Sequence, residues 1–298
     1  MISFAHVTKR FGETAALADV SFEVEKGELV LIIGPSGSGK TTLMRLLIKE
    51  YEPTEGEITF DGELLSKVHG GGVPKHRRRI GVVFQDYKLL PEMNVWENIA
   101  LPLSIIGKSQ AETESRVTDL LKLIGLTDKA LLFPSQLSGG EAQRVSIARA
   151  LATGPGIIFA DEPTGNLDPE TSLSIAKLLR QINKLGTTLL LATHDSTVLA
   201  ALSGERKITL RKGALVDDTH PKAGVAEVRL SVDKKSSDAG EKNEHHHKPE
   251  KIDKSEKLIQ SEVETIEENV VSSVEDLDDD AVEIAIKSSK KTKPVKSD

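Results

Sequence analysis

The stretch that decides the fold is Gly34-Pro35-Ser36-Gly37-Ser38-Gly39-Lys40-Thr41. A strand-like apolar run, residues 28–33, precedes it, and a helix-like run, residues 41–50, follows it. Strand, glycine loop and helix, with Gly-Lys-Thr at the junction, is the order of a P-loop. The glycines allow consecutive backbone N–H groups to turn inward around a phosphate, which a Cβ would obstruct. The stretch therefore predicts binding of a nucleoside triphosphate.

Each part of this loop has an expected task. The backbone from Gly34 to Gly39 surrounds the phosphates, and the N-terminus of the helix adds partial positive charge there. Lys40 supplies a full charge for the β- and γ-phosphates, and Thr41, next to Thr42, supplies a hydroxyl for Mg²⁺. The alternative, a flexible turn before a helix, is disfavoured because the loop lies between a buried strand and a helix. The reaction stays open at this point.

Length and composition exclude several classes of protein. The chain has 298 residues, enough for one large domain or two small ones, and no cysteine. A disulfide framework and a thiolate metal site are thereby excluded. The first ten residues do not resemble a signal peptide, and no window approaches about 18 uninterrupted apolar residues. We therefore expect a cytoplasmic protein, and if it acts at a membrane we expect a partner to hold it there.

Charge divides the sequence into two parts. Residues 217–298 carry the whole net charge of −7, with 21 acidic and 14 basic residues. They contain no Phe, Trp or Tyr. Residues 1–216 are balanced, so they show no bulk bias toward nucleic acid. The acidic part cannot bury enough apolar surface to offset the entropy of ordering it. We therefore predict a catalytic domain at 1–216 and a disordered acidic tail at 217–298.

The order of the remaining patterns predicts an α/β fold. Strand patterns occur at 2–7, 20–25, 28–33, 56–60, 80–84, 156–160, 187–192, 206–210 and 214–216. Helix patterns occur at 41–50, 97–103, 110–124, 138–152 and 169–185. The Asp61-Gly62 turn predicts an antiparallel sheet beside the nucleotide site and next to a parallel core. The helices from 97 to 124 form a block inserted between two stretches of sheet, and residues 9–12 form a turn.

Polar side chains follow three of the predicted strands. Gln85 comes after one strand, Asp161 and Glu162 after a second and His194 after a third. Strand ends of this kind line a ligand crevice. We expect Asp161 to hold the Mg²⁺ shell, Glu162 to orient and deprotonate the attacking water, and His194 to contact the γ-phosphate. The alternatives are solvated turn carboxylates and a structural histidine.

A second helix start, Leu137-Ser138-Gly139-Gly140-Glu141, has the features of a phosphate-binding surface. Ser138 is an N-cap candidate, and Glu141 three residues later completes a capping box. The two glycines leave N–H groups exposed at a positive helix end. One P-loop does not need two such surfaces, so the chain could supply half of each of two sites. The alternative is an ordinary, well-capped helix.

Four further features have ordinary interpretations. The basic run Lys75 to Arg79 is better explained by a solvated helix than by a nucleic-acid patch, because no aromatic residue interleaves it. Trp96 is more readily a core residue than a partner-facing anchor. Gly70 to Gly72 is expected to be a flexible joint. His245 to His247, in the tail, receives no metal site.

Taken in order, the P-loop, Gln85, the 137–141 motif, the strand with its acidic pair and His194 resemble an ABC-transporter-type ATPase domain over about residues 1–216. The resemblance implies a RecA-like parallel core with an antiparallel β subdomain and an inserted helical subdomain. It implies ATP and Mg²⁺ as cofactors. It also implies a head-to-tail homodimer with two ATP molecules, each between the P-loop of one subunit and the signature motif, Leu137 to Glu141, of the other. No nucleic acid is expected as a partner.

The same resemblance implies roles for individual residues. Phe11 would stack on adenine, and Gln85 would sense Mg²⁺ and the transporter partner. Ser138 and Gly140, with Gly139 between them, would cap the γ-phosphate from the opposite subunit. Glu162 would be the catalytic base, and His194 would complete the site. Asp168 would lie in the loop that communicates across the dimer.

Within the family, several stretches are similar to the FtsE subfamily of cell-division ATPases: residues 84–91, 94–100, 160–168 and 182–188. That subfamily implies an integral membrane partner, FtsX, which transmits ATP-driven motion to cell-wall hydrolases, and hence a peripheral location at the cytoplasmic face of the membrane. Lipoprotein-release and macrolide-export ATPases share much of the pattern and stay the alternative. Ala142 stands where Gln is usual, and the tail is longer than the subfamily needs.

A soluble DNA-repair or translation-factor ATPase is the alternative from another class. The repair type needs a long coiled-coil insertion between P-loop and signature, and the translation type usually carries two ATPase halves. The sequence contains neither feature.

Overall fold

The computed structural model describes residues 1–219. Ten strands are present in this part of the chain: β1 (Ile2–Phe11), β2 (Thr14–Val24), β3 (Leu29–Ile33), β4 (Glu55–Phe60), β5 (Glu63–Leu64), β6 (Ile80–Val83), β7 (Ile157–Asp161), β8 (Thr188–Thr193), β9 (Arg206–Arg211) and β10 (Ala214–Asp218). Seven α-helices accompany them: α1 (Lys40–Leu47), α2 (Gly72–Arg77), α3 (Val95–Ile105), α4 (Gln110–Leu123), α5 (Gly139–Leu151), α6 (Pro169–Lys184) and α7 (Ser196–Ala201).

The larger sheet has six strands in the order β10-β9-β3-β8-β7-β6. The five strands from β9 to β6 are parallel, and β10 joins the edge as an antiparallel hairpin. The carboxyl ends of β3, β6, β7 and β8 therefore meet at one edge of the sheet. This edge is the place where a crevice for a ligand forms in such sheets.

The smaller sheet has four antiparallel strands in the order β2-β1-β4-β5. One apolar cluster includes residues of both sheets and of the P-loop helix α1, among them Val7, Phe22, Val30 and Leu43. Alternation along β3 explains how: Val30 and Ile32 belong to this cluster, whereas Leu29 and Leu31 belong to another. The predicted antiparallel sheet beside a parallel core is confirmed.

The other cluster covers the opposite face of the parallel sheet with α3, α4, α5 and α6. Helices α3 and α4 form the predicted helical block between β6 and β7. Both begin with a capping box, at Asn94 and at Ser109, which explains their sharp starts. Trp96, half-buried, packs against this cluster.

Several predicted boundaries are wrong. Residues 9–11, expected in a turn, belong to β1, because they pair with residues 14–17 of β2. Gly72, expected in a flexible joint, begins α2. The last strand continues to Asp218, two residues beyond its predicted end, where Asp218 accepts hydrogen bonds from Arg206. Arg77, at the end of α2, is engaged locally, because it donates to the carbonyls of residues 48 and 49 just after α1.

Two predictions from the sequence lie outside the described residues. The disordered tail, apart from residues 217–219, and the histidines at 245–247 fall in residues 220–298. Among residues 1–219, no helix is long and apolar enough to cross a membrane.

Candidate active site

The glycine loop between β3 and α1 adopts a conformation that requires its glycines. Gly37 and Gly39 have φ angles of 75° and 109°, in the region that residues with a Cβ avoid. A Cβ on Gly39 would also overlap the Leu17 side chain, and one on Gly34 would overlap the Leu210 carbonyl. The loop is therefore fixed by packing as well as by torsion angles.

The Lys40 side chain is buried among oxygen atoms. Its Nζ donates to the carbonyl oxygens of Gly34, at 2.6 Å, and Pro35, at 3.2 Å. It also lies 3.0 Å from Glu162 Oε1. Two carbonyl oxygens and a carboxylate thus surround this amino group at the centre of the loop. The contact brings the P-loop lysine and the carboxylate after β7 into one cluster.

Glu162 connects this cluster to the end of β8. Its backbone N–H donates to the Ala192 carbonyl at 2.8 Å, and its φ angle of 48° lies in the left-handed region. The His194 N–H donates to Glu162 Oε2 at 3.3 Å, and His194 Nδ1 lies 2.8 Å from Oε1. A strained backbone persists only where its surroundings hold it, as these contacts do. The structure thus places Lys40, Glu162 and His194 together.

The carboxylate of Asp161, at the end of β7, has the properties of a metal ligand. Its Oδ1 is buried without a hydrogen-bond partner in the described part of the chain. The Asp161 side chain is hydrogen-bonded to the Thr41 side chain, and burial raises the pKa of Asp161. An unpaired buried carboxylate oxygen beside a threonine hydroxyl is a donor set that suits Mg²⁺. The residues present therefore fit the metal ion that the P-loop implies.

Gln85 comes after β6 and lies against a neighbouring loop. Its side chain covers Gly165 so closely that a Cβ there would come within 2.7 Å of Gln85 Nε2. Gly165 is three residues beyond Glu162. The structure therefore brings Gln85 to the turn that carries Glu162.

The predicted capping box at the start of α5 is present. Glu141 N–H donates to Ser138 Oγ at 3.3 Å, and Ser138 N–H donates to Glu141 Oε2 at 2.9 Å. The hydrogen bond from Lys129, followed by those from Ser138, lowers the pKa of Glu141. Ser138 and Gly139 are exposed, so the N-terminus of α5 is open to a ligand or a partner.

The glycines of this motif also have packing reasons. A Cβ on Gly139 would meet the Tyr87 hydroxyl at 2.9 Å and the Leu167 side chain at 3.1 Å, and one on Gly140 would overlap Thr171. The start of α5 therefore packs against residues from the loops after β6 and β7.

Asp168 precedes α6, and Phe11 lies at the end of β1. Asp168 is the N-cap of α6, and its hydrogen bonds from Thr171 lower its pKa. Phe11, 45% exposed, packs edge-on against Tyr51 with ring centroids 5.1 Å apart. The Tyr51 hydroxyl accepts a hydrogen bond from Arg45 of α1, so Phe11 is connected to the P-loop helix.

Two features of the site were missed from the sequence. Tyr87 and Lys88 both have φ angles in the left-handed region, 60° and 51°, and Arg149 of α5 donates to both of their carbonyls. Asp195, next to His194, accepts a hydrogen bond from Thr164 in the loop after β7. Neither was detectable, because non-glycine residues with positive φ and contacts between loops leave no local pattern in sequence.

Comparison with known proteins decides the family. The sequence profile of the ABC transporter family matches residues 17–165, from β2 to the turn after Glu162. The chain belongs to the ABC transporter family. The chain is therefore an ATP-hydrolysing enzyme of the ABC type.

Curated relatives refine this assignment. The cell division ATP-binding protein FtsE of Mycobacterium tuberculosis is 47% identical over 220 residues, which cover 73% of this chain and 95% of that protein. FtsE of Bacillus subtilis is 43% identical over 219 residues, covering 73% and 96%. The methionine import ATP-binding protein MetN of Brucella abortus is 43% identical over 240 residues, covering 78% and 65%. The predicted similarity to FtsE is confirmed.

Solved structures confirm the fold. The ATP-binding cassette MJ0796, in a dimeric post-hydrolysis state bound to ADP and Pi, matches with a TM-score of 0.67 and 39% identity. The match covers 73% of this ABC ATPase and 97% of that chain. The CbiO1 subunit of a Clostridium perfringens ABC transporter matches with a TM-score of 0.68 and 29% identity, covering 73% and 87%.

Proposed function

We propose that this ABC ATPase acts in cell division, as the ATP-hydrolysing subunit of a complex like that of FtsE with FtsX. The observation that carries the proposal is the similarity to FtsE proteins at 43–47% identity over nearly their whole length. In this proposal, ATP-driven dimerisation moves an integral membrane partner that regulates cell-wall hydrolysis. The ATPase lies at the cytoplasmic face of the membrane and is held there by that partner.

The proposed ATP site uses the cluster around the P-loop. Phe11 stacks on adenine, and residues 34–42 surround the phosphates. Lys40 binds the β- and γ-phosphates, for which it exchanges its present contacts with carbonyl oxygens and Glu162. A phosphate oxygen is a stronger partner for an ammonium group than a backbone carbonyl, because the interaction is charge-assisted at both ends.

The exchange has a consequence for catalysis. Lys40 Nζ and His194 Nδ1 both contact Glu162 Oε1. When Lys40 binds phosphate instead, this oxygen loses its contact with Lys40 and keeps the one with His194. Glu162 is then available to orient the attacking water and to take its proton. His194 Nδ1 holds the carboxylate in place, and the imidazole lies beside the γ-phosphate.

Mg²⁺ would be held by the Asp161 carboxylate, the Thr41 hydroxyl and Gln85. When bound, it neutralises the charge that develops on the phosphate oxygens. The unpaired Oδ1 of Asp161 and its contact with Thr41 support this assignment.

The proposed active form is a homodimer with two composite ATP sites. The start of α5, Ser138 to Gly140, caps the γ-phosphate bound by the partner subunit, and the Asp168 loop lies at the dimer contact. A helix N-terminus with free N–H groups favours anions. Support comes from the dimeric state of the similar cassette MJ0796.

The membrane partner is the part of the proposal to test first. We would purify Glu162→Gln from membranes with ATP and identify the protein that accompanies it, with Lys40→Ala as the control that should not retain ATP. A membrane protein with four predicted spanning helices and a large extracytoplasmic domain after the first supports the proposal. Recovery of DNA or ribosomes instead would contradict it.

A transport function is the second candidate, because MetN is also similar to this chain at 43% identity. The alternative of a lipoprotein-release or macrolide-export ATPase belongs to the same class. Deletion of the gene separates the candidates: filamentous cells support division, whereas mislocalised lipoproteins, drug sensitivity or loss of methionine uptake support transport. The ATP chemistry is the same in each case.

A further inference from the structure

The carboxylate of Asp195 lies at a junction of three elements. Asp195 follows His194 and is the N-cap of α7, where its Oδ1 accepts from the Thr197 N–H at 2.9 Å. Its Oδ2 accepts from the Thr164 hydroxyl at 2.7 Å. The Ser172 hydroxyl of α6 also donates to it. The residue after His194 is therefore hydrogen-bonded to the loop after β7 and to the first turn of α6.

Thr164 lies two residues after Glu162, in a compact turn. Gly165 N–H donates to the Glu162 carbonyl at 3.1 Å, and Leu167 N–H donates to the Thr164 carbonyl at 3.0 Å. The Thr164 side chain is buried, with 3% of the residue exposed. A buried hydroxyl that bonds to a carboxylate is a fixed contact, because loss of either partner leaves the other unsatisfied.

Ser172 extends the junction to the loop of Asp168. It is 1% exposed, and its N–H donates to the Asp168 carbonyl at 2.8 Å. Burial alone would raise the pKa of Asp195, but the hydrogen bonds from Thr164, Thr197 and Ser172 outweigh it and hold that pKa below its usual range. The carboxylate is thus ionised at neutral pH and able to accept all three.

The position of Glu162 depends on its surroundings. Its φ angle of 48° is unfavourable for a residue with a Cβ, so the turn needs contacts that hold it. A cavity of about 200 Å³ lies beside this turn and is lined by Glu162, Thr164, His194 and Asp195, among others. When Lys40 contacts phosphate instead of Glu162, Glu162 is held in position mainly by its hydrogen bonds with Ala192 and His194.

We propose that Asp195 is a positioning residue for ATP hydrolysis: through Thr164 and Ser172 it fixes the turn from Glu162 to Asp168 against the loop that carries His194. The inference rests on the proposed function, in which Glu162 is the base. Asp195 itself does not contact ATP in this proposal. It acts by positioning Glu162 and His194, which belong to the proposed ATP site.

The test is a steady-state ATPase assay of the full chain carrying Thr164→Val, which removes the hydroxyl and keeps the shape. We expect kcat to fall about tenfold to a hundredfold, since small misplacements of catalytic groups have effects of this size. KM for ATP should change less than about threefold, because Lys40 and Thr41 are not part of the junction. Thr164→Ser, which keeps the hydroxyl, should restore most of kcat.

A matched control comes from the helical block. Thr113 of α4 is also buried, at 6% exposed, and Thr113→Val should leave both kcat and KM at wild-type values. Ser172→Ala removes the second hydroxyl that donates to Asp195, and it leaves Thr164 unchanged. It should therefore also lower kcat. It serves as the independent variant should Thr164→Val fail to fold.

Two results would overturn the inference: folded Thr164→Val and Ser172→Ala proteins with wild-type kcat, or a loss of ATP affinity as large as the loss of kcat. Glu162→Gln in the same assay separates this failure from that of the proposed function. An inactive Glu162→Gln beside an active Thr164→Val contradicts only the role of Asp195. An active Glu162→Gln contradicts the base itself.

Discussion

At the scale of single residues, the candidate site is organised around Lys40, whose Nζ lies 3.0 Å from Glu162 Oε1. The motif around Lys40 and the acidic pair Asp161-Glu162 indicated a nucleotide site, because those residue types have few other uses at such spacing. The direct contact of Lys40 with Glu162 joins the start of α1 to the end of β7, which lie far apart in the sequence. Contacts of this kind are set by tertiary packing, so local patterns could not supply this contact or the left-handed backbone of Glu162.

The first residue-scale prediction concerns Lys40. Lys40→Ala should weaken ATP binding by roughly tenfold to a hundredfold, the effect of losing a charge-assisted hydrogen bond worth about 1.5–3 kcal/mol. Titration with a fluorescent ATP analogue measures it. Lys108→Ala, which also removes a lysine–glutamate pair but in α4's N-terminal region, is the control and should bind ATP normally. Equal affinity of the two variants would contradict the assignment of Lys40.

The second concerns the raised pKa of Asp161. Because burial favours the protonated form, Mg²⁺-dependent ATP binding should weaken as pH falls through a range above that of an ordinary aspartate. The free energy of unfolding depends on pH in the opposite direction. Because the pKa of Asp161 is raised in the folded state, the folded protein loses stability as pH rises through that pKa. Asp161→Asn should therefore unfold at a higher temperature than wild type at pH 7 without Mg²⁺, as measured by calorimetry. A lower unfolding temperature would contradict the prediction.

At the scale of elements, the sequence predicts strands and helices wherever the apolar pattern is periodic. It does not predict their exact ends in the same way. The capping boxes at Asn94, Ser109 and Ser138 determine helix starts locally, and α4 begins where its pattern indicated. The end of β1 was wrong because residues 9–11 are kept in the strand by pairing with β2, which lies beyond any local turn signal. The end of β10 was wrong because Asp218 pairs with Arg206, twelve residues earlier.

That pair gives a prediction for the β9–β10 hairpin. Arg206 is buried, contacts Asp218 and Glu28, and has a raised pKa mainly because of its hydrogen bonds with Asp218. Asp218→Asn should lower the free energy of unfolding on the order of 3 kcal/mol, since it leaves a buried charge partly unpaired. Chemical denaturation measures this, and Asp217→Asn, at the exposed neighbouring position, should change it by less than about 0.5 kcal/mol. Similar values for both would contradict the prediction.

At the scale of the whole molecule, the division into a catalytic domain and an acidic tail is still a prediction. Residues 1–219 form the described ABC ATPase, and the net charge of −7 lies in residues 217–298. Removal of residues 222–298 should leave ATPase activity largely intact, because Asp218 and its contact with Arg206 are kept. Steady-state rates of the full and shortened chains measure it. Loss of folding in the shortened chain would show that the tail is part of the domain.

The proposed homodimer with composite sites connects the P-loop, the start of α5 and Glu162 in one mechanism. Light scattering of purified Glu162→Gln, with and without ATP and Mg²⁺, tests it most directly, together with the ATPase rate of the same protein. We predict a shift from monomer to dimer on addition of ATP and a rate reduced by a factor of about 10²–10⁴. Gly139→Asp, which places a charge that repels phosphate at the start of α5, should abolish the shift. A Glu162→Gln protein that hydrolyses ATP at the wild-type rate, or stays monomeric with ATP bound, would contradict the mechanism.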